Sequence, residues 1–212
     1  MAKSIIDQLA SSLGQRDEQP NIALAMKIAK SGNEEQLAEL FTLLAGKKPA
    51  LRNDAIKVIY EVGERKPELI SLHVKDFIAL LEHKDNRMKW GAMSALSSIS
   101  KTQPKLLVPF MVNVVKAMDE GSVITRDHGV YILCSIAALP KHHKDCMELL
   151  LEQLEKAPVN QLPMYAEKTA EVVTTPFAKR MLATLKARTD VMEIPSKANR
   201  IQKVIKQLDA MN

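Results

Sequence analysis

Apolar residues recur along this chain with a period of 37 residues. Within each period they lie three or four residues apart, which is the spacing of one face of an α-helix. One column of equivalent positions holds Leu40, Phe77, Val114 and Leu151, and others start at Ala55, Val58, Ile59 and Val62. The pattern predicts a repeated unit of two amphipathic helices, called here helix A and helix B.

Residues that end helices fall between these stripes. The segments between helix A and helix B read GKKPALR, HKDNRMK and EGSVITR, and their polar, Gly and Pro residues favour turns. After helix B come Pro67, Pro104 and Pro140, each able to stop one helix and open the next. Ala55 and Ala92 start a column of small residues, which predicts a close crossing of the two helices.

The pattern is weaker toward both ends of the chain. Segments 2–13 and 20–31 resemble a degenerate leading pair, and two more helices are predicted near TTPFAKRM and PSKANR. We expect about twelve helices in five or six antiparallel pairs, with no linker between them. The expected organisation is a single domain over 1–212, with well-formed repeats at about 33–175 and capping pairs at about 1–32 and 176–212.

The stretch ALRNDAIKVIYEVG resembles the second half of a HEAT repeat, in which a basic residue precedes a small residue by three places. The matching pairs are Arg52 with Ala55, Lys89 with Ala92, and Arg126 with Gly129. The resemblance implies an all-α fold, an α-α superhelix of the HEAT or armadillo type. It also implies that the basic residue braces the A–B turn of the next unit. Asp85 matches an acidic turn residue of the family that the other copies lack.

Composition and charge agree with a helical binding protein. Aromatic residues make up only 4% of the chain and glycines number seven, whereas good helix formers are abundant. The net charge is +5, with a basic excess toward the C-terminus, which weakly favours anionic partners. No apolar run approaches the roughly 18 residues of a membrane-spanning helix, and no signal-peptide core is present. We expect a cytoplasmic protein without a membrane partner.

The motifs of the common enzyme and metal sites are missing from the sequence. There is no Gly-rich phosphate loop, GxSxG or HExxH. The stretch KHHKDC could place His142 and Cys146 on one helix face, but a zinc site needs three or four ligands. Cys134 adjoins the helix-B stripe and is expected to be a small buried residue. We expect no catalytic residue, no metal and no cofactor.

The preferred hypothesis is a non-catalytic scaffold that binds a protein or peptide on its helix-B surface. The residues proposed to contact the partner are Trp90, Tyr60, Tyr131, Ser94 and Ser97. The same helix-B surface also includes Lys57, Glu61, Ser98 and Ser135 as candidate contacts. Trp90 is the only tryptophan in the chain, and tryptophan is enriched at the energetic centres of interfaces. The mixed and mostly neutral character of this surface suits a protein partner better than a nucleic-acid backbone.

Two alternatives remain open at this point. The basic column of Arg52, Lys89 and Arg126, together with the basic C-terminal helices, could contact the phosphates of a nucleic acid. These same residues could instead be structural braces of the A–B turns. The least favoured alternative is an alkylated-base DNA glycosylase, as found among some HEAT-like proteins. Its groove would be lined by Trp90, Asp127, Tyr131 and Tyr165.

Overall fold

A computed structural model describes residues 4–211 and shows eleven α-helices there, joined by turns and short 3-10 helices, with no strand in that range. The helices are α1 (Gln19–Ser31), α2 (Glu34–Leu44), α3 (Pro49–Arg65), α4 (Val74–Leu80), α5 (Asn86–Thr102), α6 (Met111–Glu120), α7 (Val123–Ala137), α8 (His143–Lys156), α9 (Leu162–Ala170), α10 (Thr175–Ala187) and α11 (Pro195–Asp209). From α2 onward they alternate as helix A and helix B, which confirms the predicted repeat.

The predicted stripes form the core. In the column that starts at Leu40 all four side chains are buried, and so are all members of the columns that start at Ala55, Val58, Ile59 and Val62. In the fourth repeat Glu152 and Glu155 are exposed at positions where the earlier repeats have apolar residues. The 37-residue period therefore corresponds to burial of one face on each helix.

The helices divide into two compact units, of which the first ends at His128. In this unit α3 packs against α1, α2 and α5, and α5 also packs against α4. Gly63 and Gly91 lie in the contact between α3 and α5. A Cβ at Gly91 would lie 2.5 Å from Cγ1 of Ile56, and one at Gly63 would lie 2.5 Å from Oγ of Ser98. The helices B of this unit are thus packed side by side.

The second unit begins at Gly129. Here α8 packs against α9 and α10, and α11 packs against α9 and α10. Arg188, just after α10, donates hydrogen bonds to the carbonyl oxygens of Leu154 and Ala157 at 2.9 and 2.8 Å. These bonds satisfy carbonyls at the end of α8 that have no partner inside the helix. Whether the two units form the single domain expected over 1–212 stays a prediction.

The helix ends follow local sequence signals. The side chain of Asn33 accepts a hydrogen bond from the Gln36 amide at the start of α2, and Asp85 accepts one from Arg87 at the start of α5. Pro49 opens α3. Gly32 ends α1 with a φ of 66°, a left-handed conformation that glycine adopts without steric cost.

The prediction of a helix over 2–13 is wrong for the described part of that segment. Residues 4–18 contain one 3-10 turn, Ile6–Gln8, followed by turns, while positions 1–3 lie outside the described residues. The amides of Ala10 and Ser11 donate to Asn21 and Asp54 at 3.0 and 2.8 Å. Because these buried side chains satisfy the backbone, the segment does not need helical hydrogen bonds.

Candidate functional site

A cluster of aromatic and charged side chains lies on the helix-B side of the first unit. Its members are Glu18, Lys57, Tyr60, Glu61, Arg87 and Trp90, called here the α3–α5 cluster. Glu18 immediately precedes α1, whereas the other five belong to α3 and α5. The cluster contains four of the contacts predicted from the sequence, Lys57, Tyr60, Glu61 and Trp90. The other two members, Glu18 and Arg87, were not predicted.

The two aromatic rings form the centre of the cluster. The ring centroids of Tyr60 and Trp90 are 5.6 Å apart, with the planes tilted by 54°. Nζ of Lys57 lies 4.8 Å from the Tyr60 centroid, and the Arg87 guanidinium lies 5.5 Å from the Trp90 centroid. Each cation precedes its ring by three residues, so both share a helix face. Both contacts lie within the range of cation–π attraction.

Glu18 connects the two helices through its carboxylate. One oxygen lies 3.1 Å from Nζ of Lys57, and the other pairs with the guanidinium of Arg87. Lys57 also pairs with Glu61 at 2.9 Å, and Glu61 with Arg65 at 2.5 Å. The charges therefore form a continuous network around the aromatic pair.

The network favours the charged forms of Glu18, Lys57 and Glu61. Partial burial raises the pKa of Glu18, but hydrogen bonds from Arg87 and Lys57 outweigh it and leave that pKa below its ordinary value. The pKa of Glu61 is lowered in the same way by Lys57 and Arg65. For Lys57, burial lowers the pKa, and contacts with Tyr60 and Glu61 more than reverse this.

The other predicted contacts lie in different surroundings. Ser94 and Ser97 are 4% and 1% exposed, so their side chains are not surface contacts. Oγ of Ser94 donates to the carbonyl of Trp90 at 3.0 Å and lies 2.8 Å from Nε2 of His128. The sequence pattern had placed both serines outside the stripe, but α5 is buried all round at these positions.

Tyr131 lies in the second unit and is half-buried. Nζ of Lys168 is 5.9 Å from its ring centroid and 2.6 Å from a carboxylate oxygen of Glu171. Arg200 of α11 pairs with Glu167 of α9 through both carboxylate oxygens, at 2.7 and 2.6 Å. The helix-B side of this unit thus also combines an aromatic ring with a cation and ion pairs.

Two members of the basic column contact the backbone. Arg52 donates to the carbonyl of Gly46 at 3.1 Å, and Arg126 donates through Nε to the carbonyl of Met118 at 3.3 Å. Each brace belongs to the A–B turn of its own repeat, not to the next unit as the family resemblance implied. Lys89 is half-buried. The geometry of the two arginines matches the structural interpretation of the column.

Several of the residues considered for enzyme and metal chemistry are buried or engaged in local contacts. Tyr165 is 1% exposed, so it cannot line a groove as the glycosylase alternative required. Cys134 and Cys146 are buried, and burial raises the pKa of each thiol to about 12. His143 contacts the Ala137 carbonyl and Thr174. Residues 4–211 contain no group of three side chains suited to hold a metal, and no helix among them could span a membrane.

An open cavity of about 420 Å³ lies on the helix-A side of the first unit, between α2 and α4. Phe41 stacks on His73 there, with ring centroids 3.6 Å apart, and His73 Nδ1 lies 2.8 Å from Asp76. The cavity combines one aromatic pair with a single carboxylate. This helix-A cavity is a second surface of the first unit, separate from the α3–α5 cluster.

Comparison with known proteins shows the fold. No family model and no curated protein matches the chain. A designed armadillo repeat protein in complex with the peptide (KR)4 matches with a TM-score of 0.65 at 16% identity, covering 97% of this chain and 100% of that one. An engineered protein matches with a TM-score of 0.65 at 17% identity, covering 98% and 100%.

A natural protein shows the same architecture. The karyopherin Kap121p, bound to the SUMO protease Ulp1p, matches with a TM-score of 0.63 at 12% identity, over 97% of this chain and 23% of its own. The expected fold class is thereby confirmed: this chain has an α-solenoid fold of the armadillo and HEAT type. At these identities the likeness concerns the fold alone.

Proposed function

We propose that this protein is a non-catalytic scaffold that binds a protein or peptide partner through the α3–α5 cluster. The observation that carries the proposal is the tilted pair of Tyr60 and Trp90, flanked by Lys57 and Arg87 on the helix-B side. The comparisons support it at the level of the fold, because one similar structure holds a peptide and another holds a protein.

The chemistry of the cluster suits a binding site. Trp, Tyr and Arg are the residue types most enriched among those that dominate interface affinity. Here their rotamers are restrained by mutual contacts and by the network around Glu18 and Glu61. Side chains ordered in advance lose less conformational entropy when a partner binds, which leaves more of the contact energy as affinity.

Tyr131 extends the proposal to the second unit. Its contact with Lys168 repeats the combination of an aromatic ring and a cation that defines the first cluster. We assign it a secondary contact with the same class of partner. Buried free thiols at Cys134 and Cys146 are consistent with a reducing compartment, and we place the protein in the cytoplasm.

Nucleic-acid binding has less support. Two of the three residues in the basic column donate to backbone carbonyls, and near the rings Lys57 and Arg87 are paired with carboxylates. A phosphate backbone would need several cations available for contact.

Affinity capture with matched variants tests the proposed surface. Wild-type protein and two variants, Trp90→Ala and Phe41→Ala, are used as baits in lysate of the source cell, with and without nuclease. Both substitutions remove a half-buried aromatic ring of the first unit, one from the helix-B side and one beside the helix-A cavity.

The expected result is a protein that co-purifies with wild type and Phe41→Ala after nuclease treatment and is at least about tenfold depleted with Trp90→Ala, since truncating a central residue costs ~2 kcal/mol or more. Equal recovery with Trp90→Ala and wild type would remove the α3–α5 cluster as the binding site. Recovery that disappears with nuclease would instead favour a nucleic-acid partner.

A further inference from the structure

Glu18 enters the α3–α5 cluster from outside its two helices. It is 39 residues before Lys57 and 69 before Arg87 in the chain, and its carboxylate bridges these two cations. Although it stands at the N-terminal end of α1, its side chain makes no capping bond there. All its ionic contacts are therefore with residues of the proposed binding surface.

We propose that Lys57 and Arg87 form a carboxylate-binding subsite for an acidic side chain of the partner, and that Glu18 occupies this subsite in the free protein. The inference rests on the proposed function and specifies the chemistry of the partner: an acidic peptide segment. Partner binding then exchanges one carboxylate for another, so the two cations are never left unpaired.

The arrangement around Arg87 supports the exchange. Its Nε atom is buried and has no hydrogen-bond acceptor within residues 4–211. Glu18 reaches only Nη2 with one oxygen, because its other oxygen is directed at Lys57. A guanidinium binds a carboxylate best through two parallel N–H bonds. The internal contact between Glu18 and Arg87 therefore lacks this paired geometry.

The segment before Glu18 presents no obstacle to its release. Residues 11–17 are exposed throughout, and the Glu18 side chain is 36% exposed at its contacts. After exchange its carboxylate returns to water, where an isolated charge carries no desolvation cost. Glu61, in contrast, is 18% exposed and pairs with Lys57 within the same helix at i,i+4, so it remains part of the surface.

The charges around the subsite favour an acidic partner over a basic one. With Glu18 released, Lys57, Arg65 and Arg87 face the single carboxylate of Glu61. A basic peptide would meet an excess of like charge, whereas an acidic one restores the balance. Trp90 and Tyr60 provide apolar contact for the aliphatic part of a glutamate beside the charge.

The single tryptophan makes the test specific to this site. Trp90 fluorescence is recorded while the full chain is titrated with a hexaglutamate peptide at low salt, for wild type, Glu18→Gln and Glu35→Gln. Glu35 is an exposed glutamate on α2 and controls for the loss of one negative charge. Circular dichroism checks that each variant folds.

We expect Glu18→Gln to bind hexaglutamate about tenfold more tightly than wild type, because removing an internal competitor raises the fraction of competent sites. Glu35→Gln should behave as wild type does. Adding Arg87→Gln to Glu18→Gln should abolish the gain, which identifies the arginine as the carboxylate's partner.

Binding by Glu18→Gln that is equal to or weaker than wild type would overturn the inference. So would a hexalysine peptide that binds Glu18→Gln as tightly as hexaglutamate does, or inorganic phosphate that produces the same response at equal ionic strength. If hexaglutamate fails while Trp90→Ala still loses the captured protein, only the carboxylate subsite is wrong. If Trp90→Ala captures normally, the proposed binding surface fails independently of this titration.

Discussion

Gly91 lets α5 approach α3 closely, because any Cβ at this position would lie 2.5 Å from Cγ1 of Ile56. The crossing that it permits also brings Trp90, its chain neighbour, within reach of Tyr60. A small column at Ala55 and Ala92 is visible in the 37-residue pattern, and both residues are fully buried. The contact of Gly91 with Ile56 could not be predicted, because the period does not specify which face of α5 meets α3.

Substitution of Gly91 by alanine should destabilise the protein. Overpacking costs about 1–3 kcal/mol, and the higher helix propensity of alanine returns about 1 kcal/mol. The expected net loss of unfolding free energy is therefore up to about 2 kcal/mol, measured by urea denaturation. In an Ile56→Ala background the substitution should cost nothing more. A Gly91→Ala protein as stable as wild type would show that the crossing can relax.

His128 makes stability depend on pH. Burial lowers the pKa of His128 from the ordinary 6.5, Lys101 lowers it further, and Glu64 opposes them by a smaller effect. The unfolded chain therefore binds a proton at this residue more readily than the folded protein does. The contribution of neutral His128 to the free energy of unfolding is fully present above pH 6.5, and it is lost as the pH falls through the lowered pKa.

Replacement of His128 by glutamine should flatten this dependence. The urea midpoint of wild type should fall between pH 7.5 and 5.5, and that of His128→Gln should fall less. His142→Gln, in the turn before α8, is the matched control and should keep the wild-type slope. Equal slopes for His128→Gln and wild type would assign the pH dependence to other groups.

At the scale of elements, the arginine braces fix where helix A turns into helix B. Arg52 holds the Gly46 carbonyl after α2, and Arg126 holds the Met118 carbonyl in α6. The equal spacing of these residues was readable in the sequence, and the resemblance to HEAT repeats suggested a structural role. The turn that each one braces depends on the path of the loop, which the pattern does not describe.

Arg52→Ala should lower the unfolding free energy by about 1.5–3 kcal/mol, the range for hydrogen bonds that involve a charged group. Lys47→Ala removes an exposed cation from the same turn and should change stability by less than about 0.5 kcal/mol. Thermal unfolding followed by circular dichroism compares the two. If both variants melt like wild type, Arg52 is not a brace.

The path of the N-terminal segment and the contacts of Glu18 could not be predicted from the hydrophobic pattern. A stripe of apolar residues predicts a helix because buried positions on a helix recur every three or four residues. A repeated stripe also predicts contacts between neighbouring repeats. Buried Asn21 and Asp54 hold residues 10 and 11 outside a helix, and Glu18 meets Arg87 across 69 residues. Side-chain contacts of this kind follow no period, so Glu18 and Arg87 could not be predicted as members of the α3–α5 cluster.

For the whole molecule, the terminal helices should act as a cap. In the second unit α10 and α11 cover α8 and α9, and their buried side chains are Ala178, Met181, Leu185, Ile201, Val204, Ile205 and Leu208. The terminal elements of a repeat array protect its core from solvent. The last helix was predicted from its own apolar stripe of Ile201, Val204, Ile205 and Leu208, and these four side chains are buried.

A chain that ends after residue 175 should expose the covered faces and self-associate. Size-exclusion chromatography should show oligomers or loss of material, and circular dichroism should show reduced helicity per residue. A matched truncation after residue 209, which keeps α11 (Pro195–Asp209), should remain monomeric. A monomeric and fully helical fragment ending at residue 175 would contradict the capping role.

If the helix-B side of the first unit binds a protein partner, that partner should come within reach of residue 90. Site-specific photo-crosslinking detects such a contact. A photoreactive phenylalanine analogue replaces either Trp90 or Leu72, whose side chain is 94% exposed outside the α3–α5 cluster. After irradiation in lysate of the source cell, position 90 should give a discrete cross-linked protein that position 72 does not. Cross-linking of the same protein from position 72, or none from position 90, would show that the partner does not bind at the α3–α5 cluster.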